Sequence, residues 1–278
     1  MQRPFLRVDV FSSEPYKGNP LAVVVDGEGL TTDQMQQFTR WTNLSEATFL
    51  LPPTTPDADY RVRIFTPSRE LGFAGHPTLG SCHAWLESGG STTGKTVVQE
   101  CGAGLVPVRQ VPEGLAFKAP PLLRAGPVSD SDLAHVIAIL DIDADEVLEA
   151  NWTDNGPGWV SVLLAGAAAV LAVRPRTAST RAINIGVVGL YPDGSDEAIE
   201  VRAFSIDQRQ NLREDPVTGS LNAALAQWLL ASGTIEAPYT ARQGTVLGRQ
   251  GRPRISVENS SIWVGGPTTT CIRGQIEL

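Results

Sequence analysis

Four side chains in this sequence are candidates for acid–base or anion-binding chemistry: Glu46, His76, Asp215 and Ser220. Glu46 stands between a predicted helix end and a predicted strand, among apolar residues, where burial would raise the pKa of its carboxyl group as a general acid or base requires. His76 follows Gly75, in a Gly-His-Pro segment where an imidazole could orient a substrate or assist proton transfer. The structural alternatives are a solvated glutamate and a histidine that only caps a helix or makes a hydrogen bond.

An internal repeat at half the chain length relates two of these residues. Residues 62–86 match residues 201–225 at an offset of 139, with eight of 25 residues identical. Composition alone would give roughly two identities in such a comparison. At this offset His76 matches Asp215, and the pair Gly80-Ser81 matches Gly219-Ser220. The repeat predicts a duplicated domain.

The same local pattern occurs in each copy. Residues 60–66 and 200–206 alternate apolar and polar side chains, which predicts a strand, and a loop follows. Pro77 and Pro216 suit the first position of a helix, so His76 and Asp215 are the predicted N-caps. Backbone N–H groups at two such helix starts could hold one carboxylated substrate. The alternative for the glycines and serines there is tight packing alone.

The remaining pattern favours an α+β fold over a doubly wound sheet, because short strands with few helices replace regular βαβ alternation. Further strands are predicted at residues 5–11, 21–25, 47–51, 159–164 and 182–188, and helices at 31–41, 131–140 and 221–231. The proline-rich residues 118–121 mark the predicted boundary between an N-terminal half, 1–117, and a C-terminal half, 118–278. The last strand could return to the first half.

Composition and charge exclude several classes of function. Apolar residues make up 42% of the chain and charged residues 19%, which suits a folded enzyme-sized protein. The net charge of −8 and the lack of a basic block disfavour nucleic acid and anionic membranes as partners. The longest nearly apolar stretch, residues 160–173, has 14 residues, whereas a membrane span needs about 20. Residues 1–11 alternate apolar and charged residues, which predicts a first strand rather than a signal segment.

No metal or cofactor is expected from the motifs. The three cysteines show no C-x-x-C spacing, and their small number fits a reducing cytoplasm. His76 and His83 are seven residues apart, which does not match the helical spacing of a zincin. No P-loop or strand-linked G-x-G-x-x-G is present. A hydrolase triad of Ser81 or Ser220 with His76 and Asp215 is a weaker alternative, since the G-x-S-x-G turn is missing.

Three segments carry a resemblance to a known family: N-L-S-E-A-T-F at residues 43–49, F-A-G-H-P-T-L-G at 73–80 and E-D-P-V-T-G-S at 214–220. Together they resemble the PhzF-like isomerase family of phenazine biosynthesis. Supporting pieces are G-N-P-L-A-V at 18–23, D-N-G-P at 154–157, and Q-G with L-G-R at 243–249. The resemblance therefore covers nearly the whole chain.

The resemblance implies a diaminopimelate-epimerase-like fold, with two similar α+β halves, each a sheet wrapped around a central helix, and an active site between them. It implies that Glu46 is the acid or base and that His76 and Asp215 assist it and orient the substrate. Backbone N–H groups at Gly75 and Gly219, with Ser220, would hold a small substrate's carboxylate. It implies no cofactor or metal.

The chain departs from related racemases and epimerases of this fold, which use two thiols. Cys82 matches Leu221 in the repeat, and Cys101 and Cys271 lie outside the matched turns, so packing is the expected role of all three cysteines. The leading hypothesis is a cofactor-independent isomerase that moves a proton on a small carboxylate. A non-catalytic carboxylate-binding protein and an epimerase of a cyclic amino or hydroxy acid remain alternatives. The sequence leaves both a monomer and a homodimer open.

Overall fold

The computed structural model of this chain describes residues 1–176, 181–207 and 210–278. The strands are β1 (Gln2–Val10), β2 (Asn19–Val24), β3 (Ala47–Leu51), β4 (Tyr60–Phe65), β5 (Glu70–Leu71), β6 (Thr96–Cys101), β7 (Gly104–Val111), β8 (Gly114–Lys118), β9 (Arg124–Pro127), β10 (Val147–Asp154), β11 (Trp159–Leu164), β12 (Ile183–Leu190), β13 (Ile199–Ile206), β14 (Leu212–Asp215), β15 (Tyr239–Gln243), β16 (Arg254–Glu258), β17 (Ser261–Gly266) and β18 (Thr268–Glu277).

The helices are α1 (Thr32–Thr42), α2 (Gly75–Glu87), α3 (Asp130–Leu140), α4 (Ala167–Ala172) and α5 (Gly219–Ala231), with 3-10 turns at Ala144–Glu146 and Thr245–Leu247. The chain divides into two compact units, Met1–Lys118 with Gly265–Leu278, and Ala119–Val264. Among the described residues, none of the helices combines the length and the apolar character that crossing a membrane requires.

The first unit is a mixed sheet packed on helix α2. Strand β1 pairs antiparallel with β2 and β18, β2 pairs parallel with β3, and β3 pairs antiparallel with β4. Strand β4 pairs antiparallel with β5 and parallel with β6, and β6, β7 and β8 follow as an antiparallel meander. Nine residues of α2 are buried against these strands. The other face of the sheet packs on α1 through a cluster that includes Met35, Phe38 and Phe49.

The second unit has the same type of layering. Strands β9, β10 and β11 pair antiparallel in turn, β11 pairs parallel with β12, and β12 pairs antiparallel with β13. Strand β13 pairs antiparallel with β14 and parallel with β15. Alternate residues of β11 face opposite sides, so Trp159 packs against α5 and Val160 packs against α3 and α4.

The predicted α+β fold is confirmed, since each unit is a sheet around one long buried helix. Most predicted elements are found within one or two residues, including α1, which starts with a capping box between Thr31 and Gln34. The sequence pattern gave no range for eleven of the described strands, β14 and the longer β7, β10 and β18 among them, and it missed the start of α2. Short apolar runs carry a weak periodic signal, and their strand state depends on neighbours that are distant in sequence.

Candidate functional site

The two repeat copies share their local geometry, but in a different register from the one that the sequence suggested. In strands β4 and β13 the offset of 139 holds, and each carries an arginine that binds a glutamate of the next strand through two hydrogen bonds. Arg63 binds Glu70 at 2.7 Å in both bonds, and Arg202 binds Glu214 at 2.8 Å in both. These glutamates are 144 residues apart, because four residues separate the paired Phe65 and Glu70, whereas nine separate the paired Phe204 and Glu214.

The helices follow this second offset as well. Helix α2 starts at Gly75 and α5 starts at Gly219, and both contain 13 residues. His76 therefore matches Ser220, and the predicted match of His76 with Asp215 is wrong. A constant offset cannot detect an insertion between two matched segments, which is why an ungapped comparison missed the change of register.

The predicted N-caps are also wrong. The N-cap residues are Ala74 for α2 and Thr218 for α5, and neither side chain makes a capping hydrogen bond. Gly80, predicted at a helix start, lies inside α2, where an added Cβ would stand 2.6 Å from a methyl group of Leu21. Its role is close packing.

Glu46 is held at the junction that the sequence predicted. Helix α1 ends at Thr42, the left-handed conformation of the C-cap residue Asn43 (φ 56°) turns the chain, and β3 begins directly after Glu46. The side chain of Glu46 is 16% exposed and its Oε2 lies 3.4 Å from Nε2 of His76. The first unit therefore brings together two of the predicted site residues, a carboxyl group and an imidazole.

His76 is buried at the start of α2. Burial lowers the pKa of its imidazole from 6.5 to about 3, so the ring is neutral near pH 7. The contact with Glu46 is therefore a contact between a carboxyl group and a neutral ring rather than an ion pair. The amide nitrogen of Asn19 lies 3.3 Å from Nδ1, on the opposite side of the ring.

The first turn of α2 offers backbone donors beside these side chains. The helix bonds begin with the N–H of Thr78, which donates to the carbonyl of Ala74 at 3.0 Å. Pro77 has no N–H, so the donors of the first turn outside the helical ladder are those of Gly75 and His76. Such donors, with the positive end of the helix dipole, stabilise an anion.

In the second unit the predicted residues lie along the chain from the end of β14 to the start of α5. The carboxylate of Asp215 accepts a hydrogen bond of 2.5 Å from the hydroxyl of Thr218. Gln243 accepts from the backbone N–H of Thr218 at 2.9 Å and from the Asn222 amide at 2.8 Å. This buried network fixes the backbone that leads into Gly219 and Ser220.

Ser220 is held by two further side chains. The indole N–H of Trp159 donates to the Ser220 hydroxyl oxygen at 3.2 Å, and the amide of Asn155 donates to the Ser220 carbonyl at 2.8 Å. The sequence motifs predict no site role for Asn19, Asn155 or Trp159. The two asparagines lie in the G-N-P and D-N-G-P segments, so polar residues next to glycine and proline were the signal that could have found them.

None of the three cysteines is among the first residues of α2 or α5. Cys82 is buried in the middle of α2, and burial raises the pKa of its thiol to about 12. Cys101 and Cys271 are partly exposed, on β6 and β18. Among residues 1–176, 181–207 and 210–278, no group of three or more His, Cys, Asp or Glu side chains is arranged to hold a metal ion.

The fold is that of the racemases and epimerases. A probable proline racemase from Agrobacterium radiobacter K84 superposes on this chain with a TM-score of 0.62 at 15% identity, over 99% of this chain and 93% of its own. A protein of the PhzF family from Enterococcus faecalis superposes with a TM-score of 0.80 at 25% identity, over 100% of both chains. The diaminopimelate-epimerase-like fold expected from the sequence is confirmed.

Sequence similarity identifies one family among the proteins that share this fold. Residues 8–274 match the PhzC-PhzF family, described as phenazine biosynthesis-like protein, and the chain belongs to this family. Antisense-enhancing sequence 1 of Schizosaccharomyces pombe is 36% identical, over 99% of this chain and 98% of its own. Trans-2,3-dihydro-3-hydroxyanthranilate isomerase of Pseudomonas aeruginosa is 33% identical, over 92% of this chain and 91% of its own. The resemblance stated from the motifs is confirmed, and the chain is an isomerase of this family.

Proposed function

We propose that this protein moves a proton on a small carboxylate substrate without a cofactor, with Glu46 as the acid and base. One observation carries the proposal: Oε2 of Glu46 lies 3.4 Å from the neutral imidazole of His76 at the start of a buried helix, and the Glu46 side chain as a whole is 16% exposed. Glu46 would take a proton from a carbon conjugated with the substrate carboxylate and return it to another carbon. The substrate gains and loses no atoms in this isomerisation.

The charge that develops during proton removal supports roles for the helix starts. Removing a proton next to a conjugated carboxylate spreads negative charge toward its oxygens, and preorganised N–H donors stabilise this charge. The N–H groups of Gly75 and His76 are donors of this kind in the first unit, and those of Gly219 and Ser220 in the second. Asp215, through its bond to Thr218, would fix the geometry before α5 and help to orient the substrate.

Two-thiol racemisation is not favoured by the site. The thiol of Cys82 is buried and its pKa is raised to about 12, so it is not a thiolate near neutral pH. The helix starts carry His76 and Ser220 instead of cysteines. Glu46, whose Oε2 lies 3.4 Å from His76 at the start of α2, carries a carboxylate that can act as a base there, and this supports Glu46 in the role.

Proton NMR in D₂O, with a panel of small carboxylates, tests the proposal. The panel contains trans-2,3-dihydro-3-hydroxyanthranilate, the compound in the name of the Pseudomonas aeruginosa relative, together with anthranilate and cyclic imino and hydroxy acids. Wild type, Glu46→Gln and Glu28→Gln are compared, and both product formation and deuterium uptake are measured. Glu28 is an exposed glutamate of the same unit and provides the matched control.

Turnover or exchange by wild type and Glu28→Gln, with a loss of at least about a hundredfold in Glu46→Gln, is the expected result. Equal activity in all three proteins would exclude Glu46 as the base. Binding of panel members without turnover or exchange in wild type would favour the non-catalytic carboxylate-binding protein. Return of the proton to the same carbon, seen as exchange with inverted configuration, would identify an epimerase.

The second unit is tested with Asp215→Asn and Ser220→Ala on the same panel. If both units act on one substrate, as the sequence predicts, each variant should lower kcat/KM by about tenfold or more. Unchanged kinetics in both variants would restrict the proposed site to the first unit.

A further inference from the structure

Each helix start has one side chain that is contacted by a buried N–H donor. In the first unit the amide nitrogen of Asn19, which is fully buried, lies 3.3 Å from Nδ1 of His76. In the second unit the indole nitrogen of Trp159, which is 4% exposed, lies 3.2 Å from the hydroxyl oxygen of Ser220. His76 and Ser220 are matched positions in the repeat, one residue after the glycine that begins the helix.

The donor at His76 decides where the imidazole carries its proton. A neutral imidazole has one N–H and one acceptor nitrogen, and an amide nitrogen can only donate. With Asn19 donating to Nδ1, the ring proton must be on Nε2. Nε2 faces Glu46 at 3.4 Å and makes no hydrogen bond of good geometry within the described part of the chain. His76 therefore presents a hydrogen at the candidate base.

The donor at Ser220 has the same effect on a hydroxyl group. An indole nitrogen is only a donor, so the Ser220 oxygen is the acceptor in this bond. The hydroxyl hydrogen must then point away from Trp159. Asn155 holds the carbonyl of Ser220 at 2.8 Å, which limits rotation of the local backbone.

We propose that Asn19 and Trp159 are positioning residues: Asn19 makes His76 present a hydrogen rather than a lone pair to the Glu46 carboxyl group, and Trp159 makes Ser220 present its hydroxyl hydrogen to an anionic ligand. A lone pair in either position would repel a carboxylate or a delocalised carbanion, whereas an N–H or O–H stabilises it. This inference rests on the proposed function for the anionic nature of the ligand. It adds two residues to the machinery, neither of which is required to touch the substrate.

The position of the proton on His76 can be measured directly. Two-bond ¹H–¹⁵N spectra of protein labelled at histidine contain signals from three histidines, and the signals missing in His76→Asn identify His76. We expect wild type at pH 7 to show a protonated Nε2 and an unprotonated Nδ1. In Asn19→Asp, a carboxylate faces Nδ1, and this nitrogen should gain a proton. A protonated Nδ1 in wild type, or a folded Asn19→Asp with the wild-type pattern, would overturn the assignment for Asn19.

The role of Trp159 is tested by ligand binding, which needs no turnover. The dissociation constant of a panel carboxylate that binds wild type, anthranilate first, is measured by ligand-observed NMR for Trp159→Phe, Ser220→Ala and the double variant. Trp159→Phe keeps the ring and loses the N–H, and binding should weaken by about three- to tenfold. In the Ser220→Ala background, Trp159→Phe should not weaken binding further, because Trp159 acts through the Ser220 hydroxyl.

Trp228→Phe is the matched control, since Trp228 is a buried tryptophan of α5 outside this contact. The inference for Trp159 fails if Trp159→Phe binds as wild type does, or if its effect persists without the Ser220 hydroxyl. It also fails if no panel carboxylate binds wild type. If wild type shows no isotope exchange with any panel carboxylate, the proposed role of Glu46 as the base is contradicted. The histidine spectra and the dissociation constants of the Trp159 and Ser220 variants would still test the positioning roles.

Discussion

Acidification should lower the free energy of unfolding of this protein through His76. The pKa of His76 is about 3 in the folded chain, against an ordinary value of 6.5. Between these values the unfolded chain binds a proton that the folded chain does not bind. The stabilisation is therefore complete above pH 6.5 and is lost as pH falls toward 3.

The size of the effect follows from the two pKa values. Well inside this window, each unit by which the pH falls lowers the free energy of unfolding by about 1.4 kcal/mol per group. From pH 6.5 to pH 4.5, His76 alone should remove about 2 kcal/mol, because this residue is already half-protonated in the unfolded chain at pH 6.5. This is a large share of the roughly 5–15 kcal/mol that holds a typical domain folded.

The assay is urea unfolding followed by tryptophan fluorescence at pH 6.5, 5.5 and 4.5, for wild type and His76→Asn. Asparagine does not titrate, and its amide oxygen can accept from Asn19 in place of Nδ1. Carboxylates titrate in both proteins, so the difference between the two acid slopes isolates His76. His135→Asn is the control, because His135 is only partly buried on α3 and its removal should change the slope less.

Parallel slopes for wild type and His76→Asn would refute the reasoning, because they would mean that His76 has the same pKa in the folded and unfolded chains. A free energy of unfolding that falls more steeply with acidification in His76→Asn than in wild type would refute it as well.

Three further predictions concern stability and are checked by urea unfolding at neutral pH. Arg202→Gln should cost about 3–5 kcal/mol, because it removes the charge that pairs with Glu214 at a side chain that is 3% exposed. Arg63→Gln, at 26% exposure, should cost about 1 kcal/mol or less, and equal costs would contradict the burial argument. Gly80→Ala should cost about 1–3 kcal/mol through overpacking. Gly94→Ala is the control and should be near neutral, because an added Cβ there meets nothing within 4 Å among the described residues. A neutral Gly80→Ala would contradict the prediction and show that the neighbouring side chains can move aside. Thr31→Ala should cost about 1 kcal/mol by removing the capping box of α1, and an unchanged midpoint would mean that this cap adds nothing.

Much of the fold could be predicted from the sequence, since the decisive signals are local. The period-2 pattern of residues 60–66 predicts β4, and Thr31 with Gln34 predicts the start of α1, because each depends on neighbours within a few residues. The motifs around Glu46 and His76 were enough to predict the family, and the repeat was enough to predict a duplicated unit.

What the sequence could not provide is the register of the second copy. The five additional residues between the paired Phe204 and Glu214 change which residue matches His76, from Asp215 to Ser220. Strand pairing determines this register, because Glu214 must reach Arg202 as Glu70 reaches Arg63. Pairing of this kind is decided by the packed sheet and not by the local sequence.

The sequence by itself determined the residue types at the site, the α+β class and the duplication. The tertiary structure decided which groups contact one another: Asn19 is 57 residues from His76 along the chain, and Trp159 is 61 residues from Ser220. Their N–H groups are buried, and a buried donor without a partner costs free energy, so the fold must place an acceptor beside each one. No local sequence pattern encodes that requirement, because the donors on Asn19 and Trp159 contact the acceptors on His76 and Ser220 only after the sheet has packed on its helix.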